Sequence, residues 1–225
     1  FQKYHKFENS VSTKEVYNWL NSGKLDLGRL CYKKHKRNRK WNMMTHFKWN
    51  INNKTVLPIA VRPKYIELRK EYGHLEIDSI VGKRNETSSI ISIVDRTTRK
   101  MWLIEAHYKN EYYINNLIYN FIIKNDIQVK SITTDNGLEF QALGITAKKL
   151  GVKLYKCDPY CSFQRGTNER YNALVRRFIP KGTSMKFMSQ QRLDSIAMIF
   201  NSMPRRMFNF ATPNEIDYNL WKCPI

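Results

Sequence analysis

Between His74 and Ala106 the hydrophobic period of the chain drops to two, three times in close succession. In HLEIDSIVG, Leu75, Ile77 and Val81 fall on one face, while Glu76 and Asp78 fall on the other. SSIISIVD (88–95) and KMWLIEA (100–106) are two further strand candidates, separated by the polar turn RTTR. Three strands with such short connections predict an antiparallel meander. Residues 111–124 then turn helical, with Ile114, Leu117, Ile118, Phe121 and Ile122 on one face. Ser131–Thr134 reads as a short strand ended by the turn residues DNG at 135–137. A helix over 140–150 stops at Gly151, and VKLY (152–155) forms a fifth strand. Gln164–Phe178 is helical, with Tyr171, Leu174, Val175 and Phe178 together, and Pro180 bars its continuation. A last helix over 189–203 groups Leu193, Ile196, Ala197 and Phe200. The order β-β-β-α-β-α-β-α-α predicts a mixed five-stranded sheet with helices on its faces, an α/β (α+β) class.

The 225 residues suffice for one full domain and a smaller module. With 42% hydrophobic residues, global disorder is excluded. The net charge of +20 is uneven: residues 1–70 hold 17 Lys+Arg against 4 Asp+Glu, and residues 71–225 hold 22 against 15. Such asymmetry predicts a basic arm joined to a more balanced domain. Residues 10–25 read as a short helix. Ser12 and Glu15 form a capping-box pair, Val11 and Val16 a hydrophobic staple, and Gly23 the stop. With Phe1–Phe7 as a partner helix, residues 1–30 make a partial helix-turn-helix; alternatively the helix packs on the main domain. The run YKKHKRNRK (32–40) contributes Lys33, Lys34, Lys36, Arg37, Arg39 and Lys40. It is either a solvated linker or an arm contacting phosphates. Residues 41–70 show weak periodicity and carry Pro58 and Pro63, so 31–70 reads as linker with some extended structure, ending in the helix-like ELRKEYG. The domain proper is then 71–225.

The chain lacks an initiating Met and opens mid-pattern at FQKYHKFENS, so a longer natural protein is expected. The four cysteines, Cys31, Cys157, Cys161 and Cys223, have no metal-ligand rhythm and read as reduced thiols. The sequence contains neither a signal peptide nor an apolar run of about eighteen residues, which predicts a cytoplasmic location.

Against this basic background stand Asp78, Asp135 and Glu169. Asp78 lies mid-strand beside Ile80, where a carboxylate is costly unless paired, solvated or bound to metal. Asp135 ends the fourth strand, where ligand sites of α/β sheets collect. Glu169 lies early in a helix, next to its apolar stripe. Taken singly, Asp135 before Asn-Gly is an ordinary turn residue and Glu169 an ordinary surface residue. Together, in a sheet with the first strand central and the fourth beside it, Asp78 and Asp135 can face each other, and the Glu169 helix can close the third side. Three converging carboxylates repel one another, which divalent cations relieve. His74, close by in sequence, reads as a packed, hydrogen-bonded histidine or as a group orienting a ligand.

EIDSIVG, TTDNGLEF, DPYCSFQRGTNERYNALVRRFIPKGT and NSMPRR…TPNE, in that order, resemble the catalytic core of bacterial insertion-sequence transposases. The resemblance is to the IS-thirty type within the DDE transposase and integrase superfamily, and it runs from about residue 8 to the end. The 33 residues between Asp135 and Glu169 (169 − 135 = 34) fit that group's spacing. Three positions depart from the pattern: Leu75 where Trp is usual, Arg170 where Asn is common, and Met203 where Arg is expected. None removes a member of the acidic trio.

The resemblance implies an RNase H-like fold and cut-and-join chemistry on DNA, with Asp78, Asp135 and Glu169 as catalytic residues holding Mg²⁺ or Mn²⁺, two ions in all. It implies that Tyr160, Gln164, Arg165, Asn168, Arg177 and Lys181 contact DNA or brace the site, and that the N-terminal helix offers Lys14 and Asn18 to the major groove. Expected partners are double-stranded DNA, as terminal inverted repeats and target, and further copies of the chain in a dimer or larger multimer. The expected setting is the bacterial nucleoid. A non-catalytic DNA-binding repressor and an RNase H-type nuclease are the competing readings. All three acids are present, which counts against the first; the helix-turn-helix-like segment counts against the second.

Overall fold

The computed structural model describes residues 11–22, 24, 55–158, 164 and 166–222. They fall in two compact units divided at Thr45/His46. In the first unit, α1 spans Thr13–Asn21. The Ser12 Oγ accepts from the Glu15 backbone N–H at 3.2 Å, the capping contact that the S-x-x-E pattern predicts. Residues 1–10 and the basic run 32–40 lie outside the described residues, and with them the proposed partner helix and arm.

The second unit is built on one six-stranded sheet. Its strands are β1 (Val56–Pro58), β2 (His74–Val81), β3 (Ser89–Asp95), β4 (Met101–Ala106), β5 (Ser131–Thr134) and β6 (Lys153–Lys156). The order across the sheet is β1-β6-β5-β2-β3-β4. The β2-β3-β4 meander is antiparallel, and β5, β6 and β1 add in parallel on the other side. The sheet has one strand more than the sequence pattern predicts. The extra strand, β1, comes from the stretch read as linker, where α2 (Lys64–Glu67) also forms.

Two helices cover one face: α3 (Glu111–Lys124) and α4 (Leu143–Lys149). Their apolar residues Ile114, Ile118, Ile122, Leu143 and Ala147 pack with Leu75, Ile77, Ile91, Ile132 and Leu154 of the strands. The opposite face carries α5 (Gly166–Phe178) and α6 (Gln190–Asn201). There Tyr171, Val175, Leu193, Ile196 and Phe200 meet Ile80, Ile90, Val94 and Leu103. A final helix, α7 (Pro213–Lys222), opens with Thr212 and Glu215 exchanging capping bonds: the Thr212 N–H donates to Glu215 at 2.8 Å and the Glu215 N–H to the Thr212 Oγ1 at 3.1 Å.

The edge strand β4 is not left open. The Asn201 side chain bonds both backbone groups of Met101, at 2.8 Å each. Gln190, at the other end of α6, accepts from the Glu105 N–H at 2.9 Å and donates to the Leu103 carbonyl at 2.7 Å. Two side-chain amides thus take the place of a neighbouring strand.

The α3 helix offers a direct test of this packing. Ile118 is fully buried and Ile123 is 57% exposed. Ile118→Ala should cost about 2–5 kcal/mol by denaturant unfolding, whereas Ile123→Ala should stay within about 0.5 kcal/mol.

Candidate active site

Strand β2 presents Glu76, Asp78 and Ile80 to α5, and α5 is laid along that row. A strand advances about 6.6 Å in two residues and a helix about 6 Å in four, so the two repeats nearly match. The contacts follow that match. Glu76 accepts from the Asn168 backbone N–H at 3.2 Å, and Asp78 Oδ2 accepts from the Asn172 side-chain amide at 2.8 Å. At the far end, Arg176 donates to the Val81 carbonyl. Asn172 also accepts from the Ser92 hydroxyl at 3.0 Å, tying α5 to β3.

Asp78 lies on β2, and Asp135 directly follows the neighbouring β5. The parallel register of β2 with β5 pairs Leu75 with Ile132 and Glu76 with Thr133. Carried two residues further, that register brings Asp78 level with Asp135. Each carboxylate accepts from a backbone N–H just ahead of it: Asp78 Oδ1 from Ser79 and Asp135 Oδ1 from Gly137, both at 2.9 Å. Lys156 donates to the carbonyls of Asp135 (3.1 Å) and Phe140 (3.0 Å), fixing the loop that follows β5. Glu139 closes the same corner by accepting from the Ser79 hydroxyl at 2.5 Å.

Glu169 stands on the first turns of α5, its side chain exposed. On its flanks the helix is fastened at four points: Thr167 accepts from Arg99 at 2.7 Å, Asn168 is held by Glu76, Tyr171 donates to the Arg99 carbonyl at 2.7 Å, and Asn172 is held by Asp78. Thr167 reaches toward the β3–β4 turn. Glu169, about 200° further around the helix, lies on the opposite flank, the side of β5 and Asp135. The structure places Asp78 on β2, Asp135 directly after the neighbouring β5, and Glu169 on the helix fastened to β2. Among the described residues, no three His, Cys, Asp or Glu side chains are gathered closely enough to hold a metal ion. The donor set itself is all oxygen, the kind that suits Mg²⁺ or Mn²⁺.

Of the residues expected to meet DNA, Arg177 and Lys181 are exposed beyond the middle of α5 and just past its end, and Lys14 and Asn18 are exposed on α1. Gln164 is half-buried and exchanges two hydrogen bonds with the exposed Asp158 at 2.8 and 2.9 Å. Asn168 is fully buried, with neither side-chain polar atom hydrogen-bonded, so the structure places it in the interior and not on an outward surface. Tyr160, Arg165 and the basic run from Lys33 to Lys40 lie outside the described residues. His74 is buried and hydrogen-bonded to Ser131 (2.7 Å) and Glu71 (2.8 Å), the packed histidine of the sequence reading.

Sequence reasoning passed over the charged interior beneath α5. Glu76 and Arg96 are buried against each other at 2.8 Å. Arg96 also meets Glu67 at 2.9 Å, and Glu67 is bonded to Arg62, whose other nitrogen donates to Thr133 at 3.1 Å. Asp95 supports the turn that carries Arg96 and Arg99. Its carboxylate accepts from the N–H groups of Gly73 and Thr97 (2.9 Å each) and of Thr98 (2.7 Å). Burial pushes the Asp95 carboxyl up, and these bonds pull against it. The one available signal was the strand alternation, which sets Glu76 on the same face as Asp78.

The architecture is that of an RNase H-like fold, with one acid on the central strand β2, one directly after the neighbouring β5, and a third on the helix fastened to β2. No protein-family model matches the chain. It is 33% identical over 210 residues to the transposase for insertion sequence element IS4351 of Bacteroides fragilis, covering 91% of this chain and 63% of that protein. It is 34% identical over 208 residues to a probable transposase for the insertion-like sequence element IS1161 of Streptococcus salivarius (91% and 58%). To transposase InsI for insertion sequence element IS30A of Escherichia coli K12 it is 36% identical over 168 residues (74% and 43%). In sequence the chain is similar to insertion-sequence transposases of the IS-thirty type, and it spans less than two thirds of the length of these relatives.

The half-exposed Glu67, paired with Arg62 and Arg96, contributes to the acid stability of the fold. Burial raises the Glu67 carboxyl, but the Arg62 and Arg96 guanidinium groups outweigh it and hold the carboxyl below its ordinary 4.5. A carboxyl lowered on folding contributes stability above its unfolded value, and that stability is lost as pH falls through the folded value. The melting temperature should therefore decline as pH drops below 4.5, and the Arg62→Met variant should show a shallower acid decline in the same scan.

Proposed function

We propose that this chain carries the DNA-cleaving and strand-joining centre of a transposase, with Asp78, Asp135 and Glu169 as its catalytic residues. The reading is supported by the parallel pairing of β2 with β5, which runs to Glu76 and Thr133, two residues short of Asp78 and Asp135, and by the fastening of α5 to β2. The three carboxylates would hold two Mg²⁺ or Mn²⁺ ions, which when bound stabilise charge on the attacking and leaving oxygens of an in-line displacement. Asn172 and the Ser79 N–H hold Asp78 in place, and the Gly137 N–H holds Asp135. Loss of these contacts would leave the acids present but misdirected. The reaction is hydrolysis of a phosphodiester at an element's end, followed by attack of the freed 3′-OH on a target phosphodiester. Both steps use the same centre, and neither needs a covalent enzyme intermediate.

Double-stranded DNA is the proposed substrate. Arg177 and Lys181 lie on the outward side beyond Glu169, where they would meet phosphates. Lys14 and Asn18 on α1 would read bases in the major groove, with the basic run 33–40 adding affinity independent of sequence. Binding would weaken with salt at a log–log slope of about −0.9 per phosphate neutralised. Bringing two DNA ends together calls for a dimer or larger assembly on the DNA. No described helix is long and apolar enough to cross a membrane.

The assignment is tested with a labelled inverted-repeat end, Mg²⁺ and the Asp135→Asn variant. Wild type should nick or join the DNA, and the variant should lose on the order of 10³-fold in rate while still binding the end in EDTA. Metal-dependent nicking that survives the substitution would remove Asp135 from the centre. Specific binding by wild type with no cleavage or joining would favour the non-catalytic repressor.

A further inference from the structure

The Glu76 carboxylate spans two partners that belong to different parts of the fold. One oxygen accepts from Arg96, on the turn after β3, and the other from the Asn168 N–H, the amide directly before Glu169. Asn168 lies in the first turn of α5, where backbone N–H groups have no partner within the helix. Glu76 is fully buried and Arg96 is 1% exposed. A charged pair at this depth gives little net stability compared with apolar residues of the same size, so its presence calls for another role. A carboxylate at a helix N-terminus is favoured by the helix dipole and fixes where that end of the helix lies.

We infer that Glu76, held by Arg96, is a positioning residue for Glu169: it pins the first turn of α5 to β2 and so sets the depth and direction from which Glu169 reaches the Asp78–Asp135 pair. The inference deepens the proposed transposase reading and rests on it for the role of Glu169. Asp78 sits two residues from Glu76 on the same strand face, so one strand carries both a member of the acidic trio and the anchor for another. The neighbouring Asn168 side chain, buried with both polar atoms unbonded, makes no competing fastening. The other ties around Glu169 are Arg99 to Thr167 and Tyr171, from the opposite flank, and Asn172 to Asp78, one turn further along α5 from Asn168.

The test uses the full 225-residue chain in two variants. Glu76→Met combined with Arg96→Met removes the anchor without leaving a buried charge behind, which keeps the protein folded. Glu76→Gln keeps the shape, but its amide cannot accept from both donors. Two quantities are read in each: Mn²⁺ affinity by electron paramagnetic resonance, and amide hydrogen exchange along α5 and β5. The double variant should weaken Mn²⁺ binding by about tenfold or more, the scale seen when supports of metal ligands are lost. Glu76→Gln should weaken it less. Exchange at residues 167–170 should quicken while the amides of 131–134 keep their protection, because the loss is local. A merely structural role would lower protection in β5 as well and leave Mn²⁺ affinity of the folded protein unchanged. Wild-type Mn²⁺ affinity or wild-type α5 exchange in either folded variant would overturn the inference. Asp135→Asn serves as the control: wild-type Mn²⁺ binding in that variant would sink the site assignment itself, whatever the Glu76 variants do.

Discussion

The near-match between two residues of strand and four of helix allows α5 to lie along β2, and the candidate site depends on it. Glu76 faces Asn168, Asp78 faces Asn172, and Ile80 lies in the apolar layer with Tyr171 and Val175. The row passes from charged to apolar within five residues of strand. Its apolar end supplies burial and holds helix to sheet, while its polar end supplies direction. Were the helix shifted by one residue, a turn of about 100°, every one of these contacts would be lost together.

Burying charge to this extent constrains the chain further. Glu76, Arg96, Arg62 and Arg99 all lie within the fold, where each ion must find a partner or be destabilising by several kcal/mol. Arg96 meets that demand by joining Glu76 on β2 to Glu67 on α2. The segment that enters the sheet as β1 and continues into α2 is thereby tied to the floor beneath α5. That tie explains why residues resembling a linker by periodicity are ordered here: their order derives from pairing β1 with β6 and from the Glu67 bonds, both of them long-range.

Much of this was legible in the sequence because periodicity reports burial directly. The five strands from His74 onward, the helix over 111–124 and the placing of the strand that carries Asp78 beside the one that ends before Asp135 all follow from alternation and element order. β1 was not legible, because three residues ending in Pro58 carry no period and gain their structure from a partner about a hundred positions away. The start of α7 carried a readable signal, the T-x-x-E pattern at Thr212–Glu215, although its residues read first as a family motif. Asn168 shows the converse limit. A helical stripe is found by its apolar members, so an inward-facing amide such as Asn168 or Asn172 looks like any surface residue.

The members of the proposed acidic trio are held by two different means, and the difference decides how substitutions act on them. Asp78 lies on β2 and Asp135 directly after β5, strands held about 4.8 Å apart by a hydrogen-bonded pairing that runs to Glu76 and Thr133. That spacing is as secure as the sheet, whose strands are closed on both faces by apolar layers. Glu169 has no such frame. Its position is the sum of a few polar fastenings from Glu76, Arg99 and Asp78 to one turn of helix on either side of it. Losing core volume therefore weakens the fold while leaving the two aspartates in register. Losing a fastening leaves the fold nearly intact but moves the third carboxylate, and in chemistry that depends on geometry a displacement of about 1 Å is already costly.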